Sequence, residues 1–325
     1  MTRTTLVPML ADGEFHSGQA LARTLGVSRT AIWKQLNRLA GLGLELDSVP
    51  GRGYRIPGGI ELLDSARIEA GLSAEAGALL REIVLLESVD STNAEALRRI
   101  TTDAGAGLVC AAEIQTAGRG RRGRSWVSPY ARNIYLSLGW EYHDGAAALE
   151  GLSLAAGVAV VRALAQLGMS GLQLKWPNDL LVDGAKLGGI LLEMAGDATG
   201  RCQVVLGVGL NVAMPAAAAD AIDQAWTDLA AVAGSALPGR NTLVASLLNE
   251  LLPLAADFAS TGFLPWQDQW QGLDAYAGKQ VVLHSGDQRL AGIARGVDGR
   301  GALQLETSLG IQAMYGGEIS LRAAP

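Results

Sequence analysis

An arginine- and glycine-rich segment, QTAGRGRRGRSW at residues 115–126, has the clearest chemical potential in this sequence. Glycine has no side chain to keep a ligand away from the backbone, and guanidinium groups form paired, charge-assisted hydrogen bonds with phosphate. The residues concerned are Gly118, Gly120, Gly123, Arg119, Arg121, Arg122 and Arg124. The pattern predicts a site for a phosphate-rich ligand, with a basic surface loop or a nucleic-acid contact as the alternative. It matches neither the P-loop nor the glycine motif of dinucleotide-binding folds.

A second group of candidate residues lies in KWPNDLLVDGAKLGGILLE, residues 175–193. Asp183 and Gly184 are typical of a turn between two strands. Side chains alternate between the faces of a strand, so Lys186, Gly188 and Ile190 are predicted to share one face. A lysine would then lie beside a patch of bare backbone on a cleft floor, where a ligand can bind. A solvated lysine on an edge strand is the alternative.

Other catalytic chemistry has little support. The sequence contains no HExxH, GxSxG or CxxC pattern, and His16, His143 and His284 are isolated, which argues against zinc hydrolysis and catalytic triads. Cys110 and Cys202 lie in apolar, strand-like runs and are predicted to be buried thiols. A site of arginine, lysine, glycine and asparagine suits nucleotidyl transfer, which depends on positioning and on neutralising phosphate charge.

Alternating strand-like and helical segments must position these residues. From about residue 80, apolar strand-like runs alternate with helical segments such as STNAEALRRI and GLSLAAGVAVVRALAQLG. This alternation predicts an α+β chain whose central domain has a mixed or antiparallel sheet backed by helices. Residues 278–322 alternate short strands with SGD, DGRG and YGG turns, which is typical of a small β-barrel.

The amino-terminal residues predict a winged helix-turn-helix. Residues 16–43 indicate two short helices with Ser17 and Ser28 as N-caps and Gly26 at the turn, and residues 44–56 indicate a basic hairpin. The residues predicted to contact DNA are Ser28, Arg29, Thr30, Trp33, Lys34, Asn37 and Arg52. These residue types suit base edges and phosphates. A protein-interaction module with solvated basic residues is the alternative.

Composition indicates a globular protein with one basic region. The chain has 325 residues, of which 49% are hydrophobic and 18% charged, and a net charge of -6, which argues against long disordered stretches. Residues 1–60 carry seven basic and four acidic residues, whereas the rest carries 19 basic and 28 acidic residues, so only the amino-terminal part suits a polyanion. We expect a cytoplasmic protein without a membrane segment, because no signal pattern opens the chain and apolar runs are interrupted before spanning length.

Five motifs behind the predicted winged helix closely resemble the family of bifunctional biotin protein ligases and biotin operon repressors. They are DSTN (90–93), QTAGRGRRGRSW (115–126), KWPND (175–179), KLGGILLE (186–193) and GVGLN (207–211). The resemblance runs essentially end to end. It implies a winged helix-turn-helix DNA-binding domain at 1–62, a catalytic domain at 63–274 and a C-terminal SH3-like domain at 275–325.

The resemblance implies a reaction in two steps. The biotin carboxylate attacks the α-phosphate of MgATP, which gives biotinyl-5'-adenylate and pyrophosphate, and a lysine of a biotin carboxyl carrier protein then takes the biotinyl group. It also implies that the adenylate-loaded protein forms a homodimer that binds operator DNA. A lipoate-type ligase and a non-enzymatic, ligand-sensing repressor are the alternatives; the complete arginine loop argues against both.

The resemblance also implies roles for individual residues. The biotin site would comprise Ser91, Thr92, Asn93, Gln115, Arg119, Gly120, Arg121 and Lys186, of which Lys186, Arg119 and Arg121 are the catalytic candidates. The ATP and adenylate site would comprise Arg121, Arg122, Gly123, Arg124, Trp126, Asn178 and Asn211. Asp179 could orient Lys186 or bind Mg2+, and Arg322 could reach the ATP side. For Trp126 a place in the core, and for Arg322 a place on the barrel surface, is the alternative.

Overall fold

The computed structural model describes residues 6–102, 105–143, 145–196, 200–285, 288–315 and 319–323. Its amino-terminal part is a winged helix-turn-helix, as predicted. The elements are α1 (Leu6–Leu10), α2 (Gly18–Leu25), α3 (Arg29–Gly41), β1 (Asp47–Val49) and β2 (Gly53–Arg55). Ser17 and Ser28 accept the backbone hydrogen bonds that cap α2 and α3, and Gly26 ends α2 in the left-handed region at φ 63°. Leu21, Ile32 and other buried residues form the core of this part.

The described part of the central domain contains a seven-stranded sheet with the order β3-β4-β5-β9-β8-β7-β6. The strands are β3 (Glu82–Val89), β4 (Leu108–Gln115), β5 (Ile134–Tyr142), β6 (Leu172–Lys175), β7 (Asp179–Val182), β8 (Ala185–Gly196) and β9 (Cys202–Leu210). β3 and β4 are parallel and the other neighbours are antiparallel. The sheet is therefore mixed, one of the two arrangements that the sequence predicts.

Helices cover both faces of this sheet. They are α4 (Ser65–Ala70), α5 (Ala74–Leu79), α6 (Thr92–Thr102), α7 (Leu152–Gln166), α8 (Ala216–Ala219), α9 (Leu229–Ala233), α10 (Arg240–Thr261) and α11 (Gln267–Leu273). On one face α6 contacts β4, β5 and β9, while α7 and α10 pack together on the other face. Cys110 and Cys202 are buried in the sheet, as predicted.

Two helical stretches, Ala147–Gln166 and Arg240–Thr261, are long and apolar enough to cross a membrane by length and composition alone. Charged residues interrupt the apolar run in both stretches, as expected, with Glu150 and Arg162 in the first and Glu250 and Asp257 in the second. Neither Gly157 in α7 nor Pro253 in α10 ends its helix. The most apolar windows are 67% and 56% buried inside the protein. Their apolar side chains therefore belong to its core.

A bulge in β8 corrects the prediction that Lys186, Gly188 and Ile190 share a face. Leu180 pairs with Gly188 but Leu181 pairs with Lys186, so one residue of β8 is extra. A bulge of this kind shifts the alternation of side chains by one position. A Cβ added to Gly189 would lie 3.6 Å from Lys186 Cε, whereas one added to Gly188 would contact the core residue Leu210. Lys186 therefore shares its face with Gly189, and Ile190 is buried in the core.

The carboxy-terminal part is an antiparallel sheet, and among the described residues its strand order is β13-β12-β11-β10-β14. The strands are β10 (Gln280–Ser285), β11 (Gln288–Val297), β12 (Leu303–Thr307), β13 (Gly310–Met314) and β14 (Ile319–Ala323). An irregularity between Ala294 and Val297 interrupts the pairing of β11 with β12. The side chain of Arg322 lies outside the described part of the structure, so its predicted reach to ATP stays a prediction.

A buried ion pair attaches the segment after the wing to the central domain. Arg240 Nη1 lies 2.6 Å from Glu113 Oε2 and also donates to the Glu61 carbonyl at 2.7 Å. Glu113 Oε1 accepts from the Leu63 amide at 2.6 Å, and Arg240 Nε donates to the Asn133 carbonyl. Both charged side chains are buried. We call this group, Glu61, Leu63, Glu113, Asn133 and Arg240, the linker clasp.

Candidate functional site

A cleft of about 850 Å³ lies on the sheet face that carries α6. It brings together nearly all of the ligand-site residues that the sequence singles out. On its wall lie Ser91, Thr92, Asn93, Gln115, Arg119, Gly120, Arg121, Arg122, Arg124, Trp126, Asn178, Asp179, Lys186 and Asn211. Gly123 is not among the wall residues; it shapes the arginine loop with φ 71°.

One end of the cleft is lined by neutral polar groups that fix one another. Gln115 Oε1 accepts from the Thr92 amide at 2.8 Å and from its hydroxyl at 3.1 Å. Ser137 Oγ contacts Thr92 Oγ1 at 2.8 Å and donates to Asn93 Oδ1 at 2.6 Å. Ser91, Thr92 and Asn93 are almost completely buried. Such a preordered, uncharged end suits a neutral ligand group that both donates and accepts hydrogen bonds.

Ser137 and Arg98, which no sequence pattern indicated, also support this end of the cleft. Ser137 lies in the apolar run of β5, where its only signal is one hydroxyl among apolar neighbours. Arg98 on α6 forms a two-point ion pair with Asp90, at 3.0 and 2.9 Å, and Asp90 Oδ1 also accepts from the Ser91 amide. The Arg98 guanidinium, which hydrogen-bonds Asp90, lowers the pKa of Asp90 to about 2.

The arginine loop borders the middle of the cleft as a short turn. The Gly120 amide donates to the Arg124 carbonyl at 2.7 Å, and a single 3-10 turn spans Arg121–Gly123. Arg122 has a left-handed backbone at φ 61°, which is unusual for a residue with a side chain. The turn fixes the course of the loop backbone, and Arg121, Arg122 and Arg124 all line the cleft.

Two of the loop arginines have defined partners across the cleft. Arg119 Nη1 lies 3.2 Å from Glu193 Oε1, and Arg121 Nη1 donates to Asn178 Oδ1 at 3.2 Å. Burial lowers the pKa of Arg121, and the negative charge of Asp179 opposes that shift. Arg121 is thus a partly desolvated cation, which interacts more strongly with an anion than a fully hydrated one does.

Lys186 and Asp179 form an ion pair on the cleft wall, with Lys186 Nζ 2.7 Å from Asp179 Oδ1. Lys186 Nζ also lies 5.7 Å from the Trp126 ring centroid. Trp126 lies against the backbone of Gly209, since a Cβ there would approach the indole ring to 2.7 Å. The indole N–H of Trp126 is buried and has no hydrogen-bond partner within the described chain. A buried donor without a partner on a cleft wall favours a ligand acceptor at that point.

The segment 221–226 forms another part of the wall that the sequence analysis missed. The Lys186 amide donates to the Ala225 carbonyl at 3.0 Å, and the Thr227 amide donates back to the Lys186 carbonyl at 2.9 Å. Asn211 Nδ2 donates to the Thr227 carbonyl at 3.1 Å. This segment lacks regular hydrophobic periodicity, so the lone tryptophan Trp226 was its only sequence signal.

The residues predicted to contact DNA all lie on the surface of the winged helix. Ser28, Arg29, Thr30, Trp33, Lys34, Asn37 and Arg52 are exposed. Trp33 retains 56% of its accessible surface. Arg52 lies 4.1 Å from the Phe15 ring centroid, whereas Arg55 is paired with Asp47 at 2.8 Å. The arrangement leaves α3 uncovered along one face, as binding in a DNA groove requires.

Sequence families match three regions of the chain. The "Biotin/lipoate A/B protein ligase family" matches residues 85–211, "HTH domain" matches residues 2–55, and "Biotin protein ligase C terminal domain" matches residues 276–322. A solved structure, "Biotin protein ligase from Aquifex aeolicus in complex with biotin and ATP", is similar with a TM-score of 0.64 at 26% identity. It covers 75% of this chain and 100% of that one.

Curated relatives extend the similarity over nearly the whole chain. "Bifunctional ligase/repressor BirA" of Salmonella typhimurium is 43% identical, and the alignment covers 98% of this chain and 97% of the relative. The Escherichia coli protein of the same name is 42% identical with the same coverage, and that of Bacillus subtilis is 31% identical over 96% and 95%. This protein therefore belongs to the family of bifunctional ligase/repressor proteins.

Proposed function

We propose that this protein joins biotin to a carrier protein and, when loaded with biotinyl-5'-adenylate, represses biotin-synthesis genes in the cytoplasm. The observation that carries the proposal is a cleft in which a neutral, buried end adjoins a cationic end. Biotin has the matching asymmetry, since its ureido ring is neutral and its carboxylate must react beside phosphates. The similarity to bifunctional ligase/repressor proteins supports the same proposal.

In the first step, the cleft binds biotin with its ureido ring at Ser91, Thr92, Asn93 and Gln115. A carboxylate oxygen of biotin attacks the α-phosphorus of ATP, and the bond from that phosphorus to the bridging oxygen breaks as pyrophosphate leaves. Lys186 contacts the carboxylate and α-phosphate oxygens, and Arg119 and Arg121 close over them with Gly120 between. These cations stabilise the charge that develops in the transition state.

The adenylate's base is proposed to lie against Trp126, near Asn211, with Asn178 holding Arg121 in place. Arg122 and Arg124 remain on the phosphate side of the cleft, and Gly123 gives the loop its turn. The indole N–H of Trp126, which has no hydrogen-bond partner among the described residues, supplies a donor for the nucleotide. Because Trp126 rests on Gly209, its ring orientation is fixed before the ligand arrives.

Magnesium would be held mainly by the substrate. Within the described residues, no group of three or more His, Cys, Asp or Glu side chains could hold a metal ion. Magnesium in nucleotide sites commonly uses one or two carboxylates together with phosphates and waters, and Asp179 fits that pattern beside Lys186. When bound, the ion would offset phosphate charge.

In the second step, the lysine amine of a biotin carboxyl carrier protein attacks the carbonyl carbon of the adenylate. The bond to the phosphate oxygen breaks, AMP leaves, and the amine loses a proton as the amide forms. The cations that stabilise the first transition state also stabilise AMP as a leaving group. The same adenylate, when it stays bound, is proposed to favour a homodimer that presents two copies of α3 to operator DNA.

Transfer to a carrier domain tests the enzymatic half. Purified protein, MgATP and biotin should biotinylate an apo carrier domain, whereas a carrier with its acceptor lysine changed to arginine should remain unlabelled. Lipoate in place of biotin should give no product. Labelling with lipoate instead of biotin would establish the lipoate-type alternative.

DNA binding tests the regulatory half. A biotin-synthesis promoter fragment should bind more tightly when biotin and ATP are both present than with either alone. Lys34→Ala should weaken binding and reduce its salt dependence, because each phosphate contact contributes to the salt slope. Equal affinity for the promoter fragment with and without biotin and ATP would contradict control of DNA binding by the adenylate.

A further inference from the structure

The wing carries an aromatic contact that has no role in the proposal above. A tight turn joins β1 to β2, and in it the Arg52 amide donates to the Val49 carbonyl at 3.1 Å. The guanidinium carbon of Arg52 lies 4.1 Å from the centroid of the Phe15 ring. That of Arg55, the last residue of β2, lies 4.6 Å from the same centroid. One phenyl ring from the segment before α2 therefore contacts two arginines of the wing.

The backbone holds Phe15 in place against the wing. The amide of the next residue, His16, donates to the Tyr54 carbonyl at 2.9 Å, and the Tyr54 amide donates back to the His16 carbonyl at 2.9 Å. Gly53 lies directly against this pair, since a Cβ added there would come within 2.1 Å of the His16 carbonyl oxygen. Ser17, which follows His16, caps α2. The ring is therefore tied by its neighbours to both β2 and α2.

The two arginines on this ring differ in whether their charge is compensated. Arg55 Nε donates to Asp47 Oδ2 at 2.8 Å, and Asp47 is its direct cross-strand partner on β1. Arg52 is exposed, and it has no acidic partner among the residues that the structure describes. Of the two guanidinium groups, the one on Arg52 is therefore available to an anion.

The ring contact restricts the Arg52 side chain before any ligand binds. A ring face attracts a guanidinium at distances of this kind. A long side chain that is free in solution loses rotamer entropy when it is immobilised in a complex. An arginine that already lies on a ring loses less of it. The contact with Phe15 should therefore make Arg52 a stronger ligand for an anion than an unsupported arginine.

The surroundings of Arg52 favour DNA as the source of that anion. Neither Phe15 nor Arg52 is among the described wall residues of the cleft, so the contact lies outside the ligase site. The same domain exposes Arg29 and Lys34 on α3. Guanidinium groups form paired hydrogen bonds with phosphate, and a helix in the major groove has the phosphates of the duplex on either side.

We propose that Phe15 is a positioning residue for DNA binding, which holds Arg52 ready to contact a phosphate of the duplex beside α3. Phosphate contacts set the orientation of a protein on DNA, so Phe15 acts on DNA affinity through Arg52 and not by a contact of its own. Arg55, neutralised by Asp47, stays on the protein. The inference rests on the DNA-binding half of the proposed function, although a phosphate contact requires neither biotin nor an operator sequence.

Binding to a mixed-sequence DNA duplex without ligands tests the proposal, with fluorescence anisotropy measured between about 0.05 and 0.2 M salt. Arg52→Gln should weaken binding about tenfold and lower the salt slope by about 0.9 for each bound wing, because one phosphate contact is lost. Phe15→Leu should weaken binding about threefold, the effect of an exposed contact between a cation and a ring. It should leave the salt slope unchanged, because Arg52 is still present. Phe15→Tyr keeps the ring face and should bind as the wild type does.

Two comparisons separate positioning from a general loss of structure. In an Arg52→Gln background, Phe15→Leu should have no further effect on affinity, because the two residues act through one contact. The matched control is the double variant Asp47→Asn with Arg55→Gln, which removes a neutral ion pair from the same wing. It should change the affinity by less than about twofold. Thermal unfolding of all these variants should match that of the wild type.

Equal DNA affinity of Phe15→Leu and the wild type would overturn the inference. So would a similar loss caused by Phe15→Leu in the Arg52→Gln background, or a parallel loss of thermal stability. If promoter binding proves independent of biotin and ATP while the Phe15 difference persists on mixed-sequence DNA, only the proposed control by the adenylate falls. If promoter binding responds to these ligands while Phe15→Leu binds as the wild type does, only this inference falls.

Discussion

At the scale of single residues, the neutral end of the cleft depends on very close packing. Asn93 lies directly over Gly207, where an added Cβ would come within 2.1 Å of Asn93 Oδ1. A Cβ atom does not approach another heavy atom so closely in real structures, so any larger residue at position 207 must displace Asn93. That displacement would break the hydrogen bond with Ser137.

Gly207→Ala is therefore expected to raise the KM for biotin by about tenfold or more, since a buried polar group loses its partner. Steady-state adenylation kinetics measure this. Gly77→Ala is the control, because nothing lies within 4 Å of a Cβ there, and it should leave the KM unchanged. An unchanged biotin KM in Gly207→Ala would remove Asn93 from the biotin site.

The Asp90–Arg98 pair gives a pH prediction at the same scale. Asp90 has a pKa of about 2, below its ordinary 3.8, chiefly because Arg98 hydrogen-bonds its carboxylate. The contribution of the ionised Asp90 carboxylate to the stability of the fold is present above pH 4. It is lost as the pH falls towards 2, because protonation removes the ion pair. NMR titration of Arg98→Gln should show the Asp90 pKa rising towards 3.8. A pKa that stays near 2 would assign the shift to another cause.

The roles of residues within a recognisable motif were predictable from the sequence. The roles of residues that reach the site only through the fold were not. The site residues of DSTN and of the arginine loop lie within the motifs themselves. Ser137, Trp226 and Tyr276 come from distant elements, and each is one polar or aromatic residue in an otherwise ordinary segment. Only the tertiary structure brings Trp226 and Tyr276 to the cleft wall and places Ser137 against Thr92 and Asn93.

At the scale of elements, β8 shows how one extra residue redirects a site. Simple alternation placed Gly188 beside Lys186, whereas the bulge places Gly189 there. The strand itself, its turn at Asp183 and the role of glycine as bare backbone were all predictable. The bulge was not, because it depends on how β7 pairs with β8.

The arginine loop is the element whose motion should respond to ligand. Its Arg119–Glu193 contact is half exposed, with 47% of the Arg119 side chain accessible, and such pairs hold weakly. We expect residues 118–125 to exchange amide hydrogen rapidly in the protein alone and about tenfold or more slowly with biotin and ATP. Hydrogen-exchange mass spectrometry measures this, with buried α7 as the unchanged reference. Slow exchange of the loop without ligand would contradict a closing motion.

At the scale of the whole molecule, the linker clasp connects the winged helix to the cleft. Glu113 lies on β4, two residues before Gln115, and its carboxylate holds the Leu63 amide after the wing. The residues of the ion pair are 127 positions apart. The three-part architecture was predictable from local patterns, but no local pattern could indicate this contact.

Arg240→Ala should lower the free energy of unfolding by about 3–5 kcal/mol, because it leaves Glu113 buried without its partner. Arg295→Ala removes a half-exposed pair with Glu306 and should cost less than about 1 kcal/mol. Chemical denaturation followed by circular dichroism compares the two. Equal losses of stability would show that the clasp is no stronger than a surface pair.

ATP–pyrophosphate exchange isolates adenylation in the cleft, because it needs no carrier protein. Purified protein should exchange labelled pyrophosphate into ATP with biotin and not with lipoate or without an acid. Lys186→Gln should lower the exchange rate by about a hundredfold or more, the effect of removing a charge that stabilises a transition state. We predict exchange with biotin and with neither other addition. The absence of exchange with biotin would contradict adenylation in this cleft, and equal exchange by Lys186→Gln would contradict the catalytic role of Lys186.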